Sequence, residues 1–137
     1  MKEIFDGIKT AVKDIAQALK YSDFGYTANQ NATGDTQLKL DVLSDEIITK
    51  TLSKINLVKE LVSEEKEEAL KVNGDGEYIV AYDPLDGSSL VDVNFAVGSI
   101  FGIYKGSLNP ANLVASVYSV YGPRTELVIA KDKVELF

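Results

Sequence analysis

The stretch EYIVAYDPLDGSSL, residues 77–90, joins a strand pattern to a group of acids and hydroxyls. Its EYIVAY part is apolar on both faces, which predicts a strand in the middle of a covered sheet. Asp83 and Asp86 follow, with Pro84 between them, and the small residues 87–89 come next. Asp-Pro and Asp-Gly are also common turn pairs. Taken alone, the stretch therefore leaves two interpretations open, a turn or a functional site.

A second predicted strand also ends in acids. ELVS, residues 60–63, runs into Glu64 and Glu65, although such a pair alone is more often a solvated helix start. In an open sheet flanked by helices, ligands bind beyond the carboxyl ends of the strands. If the two strands are neighbours, four carboxylates meet at one end of the sheet. Their repulsion would favour protonation, and a divalent cation would remove that cost.

The groups around these acids fit a cation beside an anion. Carboxylate oxygens of Asp83 and Asp86, with the backbone carbonyl of Leu85, are ligands that Mg²⁺ or Mn²⁺ prefers. If a helix begins at residues 87–89, its backbone N–H groups form an anion site. A cation site beside a phosphate site is the arrangement used in metal-assisted phosphoryl transfer.

The composition excludes several classes of function. The 137 residues include no cysteine and no histidine, which excludes disulfides, thiolate or imidazole metal sites and histidine-dependent nucleophilic catalysis. A net charge of -7 argues against binding to nucleic acid, which needs clustered Lys and Arg. No apolar run reaches the length of a membrane span, and the charged N-terminus is unlike a signal peptide. We therefore expect a cytoplasmic protein that binds neither nucleic acid nor membrane.

The first half of the chain predicts two helices. Apolar residues at spacings of three and four mark one face of a helix over about residues 2–20. The polar, aperiodic segment 21–35 predicts a loop, and a loop of that length is usually functional or disordered. A second helical pattern starts at Thr36, with Asp35 as its N-cap. The acidic segment 64–71 predicts one or two further helical turns.

The second half predicts strands. After FAVGSIFGIYKG, the alternating segments LVASVYSVY, TELVIA and KVELF indicate a β-meander. The expected fold class is α/β with α+β layering, in which the two N-terminal helices pack on a mixed, largely antiparallel sheet. Residues 1–137 form one domain on this interpretation. The last strand pattern stops at Phe137, and because such a stop leaves an exposed edge, we expect a C-terminal half to be absent.

Four ordered motifs resemble a known family. DPLDGSS is followed by GSIFGIY and preceded by LVSEE and by TGD…LD, a set that is similar to class I fructose-1,6-bisphosphatase. That family belongs to the Mg-dependent, lithium-sensitive sugar phosphatase superfamily, which also includes the inositol monophosphatases. The resemblance runs over nearly the whole chain and implies that it is the N-terminal half of such an enzyme. Segment 21–35 matches a mobile loop of the family, which gives the predicted loop a role as a lid.

The resemblance also implies a role for each matched residue. Mg²⁺ is the implied cofactor, with Mn²⁺ or Zn²⁺ as substitutes. The implied metal ligands are Glu64, Asp83, the Leu85 carbonyl and Asp86. The residues implied to activate or orient the attacking water are Glu65, Asp41 and Asp35. The residues implied to hold the 1-phosphate are Asp86, Gly87, Ser88 and Ser89.

Two positions depart from the family pattern. Leu90 stands where members usually carry Asn, and we expect this change to affect packing more than chemistry. Glu77 stands where AMP-regulated members carry a lysine. Because an acid there would repel a nucleotide phosphate, the sequence predicts weak or absent inhibition by AMP.

The implied activity is Mg-dependent hydrolysis of the 1-phosphate of fructose 1,6-bisphosphate to fructose 6-phosphate, a step of gluconeogenesis. It belongs to the intact enzyme, which is expected to be a homodimer or homotetramer, and this half alone is expected to be inactive. Two phosphatase alternatives remain open, a sedoheptulose-bisphosphatase and an enzyme like inositol monophosphatase. A third alternative is a non-catalytic assembly domain whose first helix packs at a subunit interface.

Overall fold

A computed structural model of the chain describes residues 1–21, 26–30 and 36–137. The helices are α1 (Lys2–Tyr21) and α2 (Lys39–Leu52). The strands are β1 (Tyr26–Gln30), β2 (Thr36–Leu38), β3 (Val58–Ser63), β4 (Leu70–Lys71), β5 (Tyr78–Asp86), β6 (Val97–Lys105), β7 (Leu113–Tyr121), β8 (Thr125–Ala130) and β9 (Val134–Leu136). Two short 3₁₀ helices lie at Ser88–Val93 and Pro110–Asn112.

The main sheet has seven strands in the order β4-β3-β5-β6-β7-β8-β9. Its β3–β5 pair is parallel, and its other described pairs are antiparallel. The prediction of a mixed, largely antiparallel sheet is therefore confirmed, and β5 occupies the interior position that its two apolar faces indicated. The strands from β6 to β9 are consecutive neighbours, which confirms the meander.

The two helices pack on one face of this sheet. Residues of α1 and α2 share one core cluster with the alternating buried residues of β6, β7 and β8. The apolar stripe of α1 supplies fully buried side chains, among them Ile4, Ile8 and Ile15, and each contributes about 2–3 kcal/mol of burial free energy. The stripe is therefore part of the chain's own core. The alternative in which this stripe forms a subunit interface is wrong.

The start of the second helix differs from the prediction. The helix begins at Lys39, because Thr36–Leu38 form β2, which pairs antiparallel with Tyr26–Gln30 of β1. The prediction that Asp35 caps this helix is therefore wrong. The pairing of β1 with β2 outweighs the local capping signal. The strand β1 also lies inside the segment 21–35 that was predicted to be a loop. Residues 22–25 and 31–35 lie outside the described part.

The acidic segment 64–71 is not helical. Leu70–Lys71 form β4, which pairs antiparallel with Glu60 and Leu61 of β3. Residues 66–70 are exposed, so the segment has no apolar face that could hold a helix against the core. The NGDG turn is confirmed, with Gly76 N–H donating to the Asn73 carbonyl at 3.1 Å. Across the described residues, neither helix combines the length and the hydropathy that crossing a membrane would require.

Candidate active site

The parallel pair of β3 and β5 brings two acidic segments together. Ser63 is the register partner of Tyr82, and Glu64 N–H donates to the Tyr82 carbonyl at 2.9 Å. Parallel strands place their carboxyl ends at the same edge of a sheet. Glu64, which directly follows β3, therefore lies at the same edge as Asp83 of β5. The arrangement that the sequence left as a condition, two neighbouring strands ending in acids, is present.

A β-bulge shapes the segment from Asp83 to Asp86. Asp83 is opposite Ile100 and Asp86 is opposite Gly98, so two residues of β5 face the single residue Ser99 of β6. Proline lacks an N–H group and is tolerated in an interior strand mainly at such a bulge, which explains Pro84 at this position.

Two hydrogen bonds tie this bulge down. Leu85 N–H donates to Asp83 Oδ1 at 3.0 Å, and the Ser99 hydroxyl donates to the Pro84 carbonyl at 2.7 Å. The side chain of Leu85 is buried. The chain therefore turns between the two aspartates in a fixed shape.

The electrostatic environment of Asp83 reports the crowding of acids. Burial raises the pKa of Asp83 from 3.8 to about 6, and the Leu85 N–H hydrogen bond opposes part of this rise. The charges of Glu64, Asp86 and Asp41 raise the same pKa further. Three carboxylates, those of Glu64 after β3, Asp86 of β5 and Asp41 of α2, thus act on Asp83 at this edge, which is the situation that a divalent cation relieves.

The remaining predicted acids take different positions. Asp41 lies in the first turn of α2 and is 3% exposed. Glu65 is half-buried, and its N–H donates to the Ser63 hydroxyl at 3.2 Å. Asp35 lies outside the described residues. Within the described ranges, no three acidic side chains converge closely enough to hold one metal ion as they stand. The donor set is nevertheless composed of oxygens alone and suits Mg²⁺ chemically.

The residues predicted to bind phosphate begin a short 3₁₀ helix. Gly87 is its N-cap and has φ 79°, a left-handed conformation that glycine adopts without strain. Leu90 N–H donates to the Gly87 carbonyl at 2.8 Å, and the helix ends at Val93 after six residues. Ser88 is half-buried and Ser89 is exposed. So short a helix carries little dipole, and any anion would be held by individual N–H groups.

Sequence reasoning missed a polar cluster behind the acids. Tyr82 O–H donates to Asp45 Oδ1 at 2.9 Å and lies 3.1 Å from the Thr49 hydroxyl. Lys66 forms an ion pair with the other oxygen of Asp45, which is 2% exposed. Burial, and secondly the Asp45 charge, raise the pKa of Tyr82 above its ordinary range. The cluster connects α2 to β5 and to the residue that follows Glu65.

Two sequence signals could have identified this cluster. Asp45 stands four residues after Asp41, so the two acids share a face of α2. Lys66 directly follows the acid pair Glu64 and Glu65, where a cation is the natural counter-charge. Neither signal indicates which tyrosine or which strand completes the cluster, because those contacts join residues that are far apart in the chain.

Glu77, directly before β5, forms an ion pair with Lys105 at the end of β6. The Nζ–Oε2 distance is 3.2 Å, and both side chains are 59% exposed. The negative charge that was expected to repel a nucleotide phosphate is therefore partly balanced by a neighbour. The prediction of weak AMP inhibition stays a prediction, with a smaller electrostatic basis than Glu77 alone provides.

Comparisons with known proteins agree with this geometry. The family model described as fructose-1-6-bisphosphatase, N-terminal domain, matches residues 1–137. A class 1 fructose-1,6-bisphosphatase of Campylobacter curvus is 63% identical over 133 residues, which cover 97% of this chain and 44% of the relative. The chain spans about half the length of the curated relatives it matches.

Solved structures share the fold. The holo form of Leishmania major fructose-1,6-bisphosphatase superposes with a TM-score of 0.91 at 33% identity, covering 98% of this chain and 49% of the other. A putative sedoheptulose-1,7 bisphosphatase of Toxoplasma gondii gives a TM-score of 0.83 at 31% identity, covering 94% and 45%. The sequence match, the shared fold and the ordered acidic motifs lead to the same conclusion. The chain belongs to the fructose-1,6-bisphosphatase family and corresponds to its N-terminal domain.

Proposed function

We propose that this chain supplies the metal- and 1-phosphate-binding half of an enzyme that hydrolyses fructose 1,6-bisphosphate to fructose 6-phosphate. The observation that carries the proposal is the parallel β3–β5 pair, which places Glu64 beside the Asp83–Asp86 bulge. The relatives that match the chain are named fructose-1,6-bisphosphatase, and this supports the choice of substrate.

Mg²⁺ is the proposed cofactor, with Mn²⁺ or Zn²⁺ as substitutes. Glu64, Asp83, Asp86 and the Leu85 carbonyl are the proposed ligands, and they are hard oxygen donors of the kind that Mg²⁺ takes. The effects of the neighbouring carboxylate charges on Asp83 support the binding of a cation by these groups. A bound metal would neutralise the charge of the transferring phosphoryl group and would lower the pKa of the attacking water.

The chain's own residues carry the remaining steps. Glu65 or Asp41 accepts the proton of the attacking water, since each is an acid next to the proposed ligands and can act as a general base. Asp35 is proposed to help orient that water. Backbone N–H groups of Gly87, Ser88 and Ser89 donate to the 1-phosphate oxygens, as the family resemblance implies. These donors would favour the extra charge that develops as the phosphoryl group transfers.

The second half of the enzyme is proposed to complete the site. It would bind the sugar and the distal phosphate, and the whole protein would act in the cytoplasm as a homo-oligomer. The resemblance of the fold to a putative sedoheptulose-1,7 bisphosphatase favours the corresponding seven-carbon sugar bisphosphate as the second candidate substrate.

A chimera tests the proposal. In it, this chain replaces the matching half of the Campylobacter curvus relative, and phosphate release is measured with Mg²⁺ and either sugar bisphosphate. The chimera should release phosphate from fructose 1,6-bisphosphate, whereas this chain alone should release little or none.

Asp83→Asn should lower the rate by at least about 100-fold, because it removes a charged ligand. The matched change Asp75→Asn, in the exposed turn at residues 73–76, should leave it unchanged. A chimera that is equally active with Asp83→Asn would contradict the assignment.

A further inference from the structure

The bulge between Asp83 and Asp86 interrupts the regular pairing of β5 with β6. Normal pairing with β6 stops at Asp83 opposite Ile100 and resumes at Asp86 opposite Gly98. Pro84 has no N–H group to give to a ladder, and its carbonyl lies where regular pairing is interrupted. A buried carbonyl that is left without a donor is costly, so the donor that reaches it decides the shape of this segment.

Ser99, the β6 residue opposite the bulge, provides that donor. Its hydroxyl donates to the Pro84 carbonyl at 2.7 Å, while its own N–H donates to the Ser119 hydroxyl of β7 at 3.2 Å. Ser99 is 0% exposed and Ser119 is 2% exposed. The Ser99 hydroxyl therefore supplies a donor to the Pro84 carbonyl where the β5–β6 register is interrupted, while Ser119 anchors Ser99 from β7.

Tyr121 of β7 completes the arrangement. Its phenolic oxygen lies 2.7 Å from Ser99 Oγ, and its side chain is buried. A serine hydroxyl has one proton and a carbonyl has none. Because the Ser99 proton is directed to the Pro84 carbonyl, the Tyr121 O–H must donate to Ser99 Oγ. The hydrogen bonds thus run in one direction, from Tyr121 through Ser99 to the backbone of the bulge.

We propose that Ser99 and Tyr121 are positioning residues that set the spacing of Asp83, the Leu85 carbonyl and Asp86 for metal binding. The inference rests on the proposed function, because it assigns these residues to the same metal site. Neither side chain contacts the metal in this proposal; each acts through the Pro84 carbonyl, which lies between the ligands. Outer hydrogen bonds that orient ligand groups commonly change metal affinity by about 10- to 100-fold.

The experiment measures Mn²⁺ binding to the chimera that joins this chain to the second half of the Campylobacter curvus relative, by the loss of the free Mn²⁺ electron-spin signal, with Mg²⁺ as competitor. Ser99→Ala should weaken binding by about 10- to 100-fold. Tyr121→Phe should weaken it less, because the Ser99 hydroxyl remains and still reaches Pro84. Ser99→Thr keeps the hydroxyl and should restore affinity to within about threefold of the wild type.

A control separates positioning from general stability. Val117 is 1% exposed on the core side of β7, opposite Phe101, and Val117→Ala should lower the urea midpoint while keeping Mn²⁺ affinity within about twofold. Loss of affinity in Ser99→Ala together with retained affinity in Val117→Ala supports the inference. Equal affinity in Ser99→Ala and the wild type overturns it, and so does an equal loss in Val117→Ala. A wild-type chimera that binds no Mn²⁺ overturns the proposed metal site as well, which distinguishes the two failures.

Discussion

Replacing Asp83 by asparagine should make the metal-free chain more stable at neutral pH. In the folded chain, burial and neighbouring acids raise the pKa of Asp83 from 3.8 to about 6, so its negative charge at neutral pH is unfavourable. Asparagine removes the charge and keeps an amide oxygen that can accept the Leu85 N–H hydrogen bond. The residue assigned to metal binding would therefore be one that destabilises the chain when the metal is absent.

The size and sign follow from the two pKa values. A rise from 3.8 to about 6 corresponds to at most about 3 kcal/mol, since each unit is worth about 1.4 kcal/mol. Solvent screens this partly exposed group, so about 1–2 kcal/mol is expected. Between the two pKa values the folded state binds more protons than the unfolded state. Its stability relative to Asp83→Asn therefore falls as pH rises through that interval, and the full loss is reached above the folded-state pKa.

Urea unfolding of both proteins in EDTA, at about pH 4.5 and about pH 7.5, measures this difference. The variant should exceed the wild type by about 1–2 kcal/mol at the higher pH and by much less at the lower one. Saturating Mg²⁺ should reverse the order, because a ligand that binds only the folded state stabilises the wild type. A variant that is no more stable than the wild type in EDTA at the higher pH would refute the reasoning, and Asp75→Asn controls for a general effect of charge removal.

Three further substitutions test the packing around the site. Lys66→Met removes the counter-charge of the buried Asp45 and should cost about 1–3 kcal/mol, measured by urea unfolding, whereas no loss would show that Asp45 needs no cation. Gly98→Ala would drive a Cβ into the Ser119 carbonyl oxygen, whereas Gly102→Ala meets only a tyrosine ring that can move. The first should lower the melting temperature by at least about 4–8 °C and the second by less, since a cost of about 2 kcal/mol corresponds to roughly 4–8 °C in a domain of this size. Equal effects would contradict this account.

Local patterns predicted most elements but not every boundary. The stripe of α1, the two apolar faces of β5 and the alternation of β7 and β8 each show which face is buried, and the structure confirms them. The start of α2 at Lys39 and the strand β4 were not predictable in this way. Each depends on pairing with another segment, and a local pattern does not contain its partner.

The candidate site divides in the same way. The identity of the acids, their position at strand ends and the resemblance of the four motifs were available from the sequence. The polar side chains that support the site could not be predicted, because their contacts join residues distant in the chain. Asp45 lies 37 residues from Tyr82, and Ser99 lies 15 residues from Pro84. Serines and tyrosines in strands are ordinary, so nothing local distinguishes Ser99 from the exposed Ser116.

The sequence by itself therefore determined the chemistry of this chain, which is an acidic set of oxygen ligands without histidine or cysteine. It also determined the family to which the chain belongs. The tertiary structure decided which strands are neighbours, where β5 bulges and which hydroxyl reaches the Pro84 carbonyl. The physical reason is that side-chain periodicity reports which face of an element is buried. Strand order and register are set by long-range packing that joins distant segments only when the whole core forms.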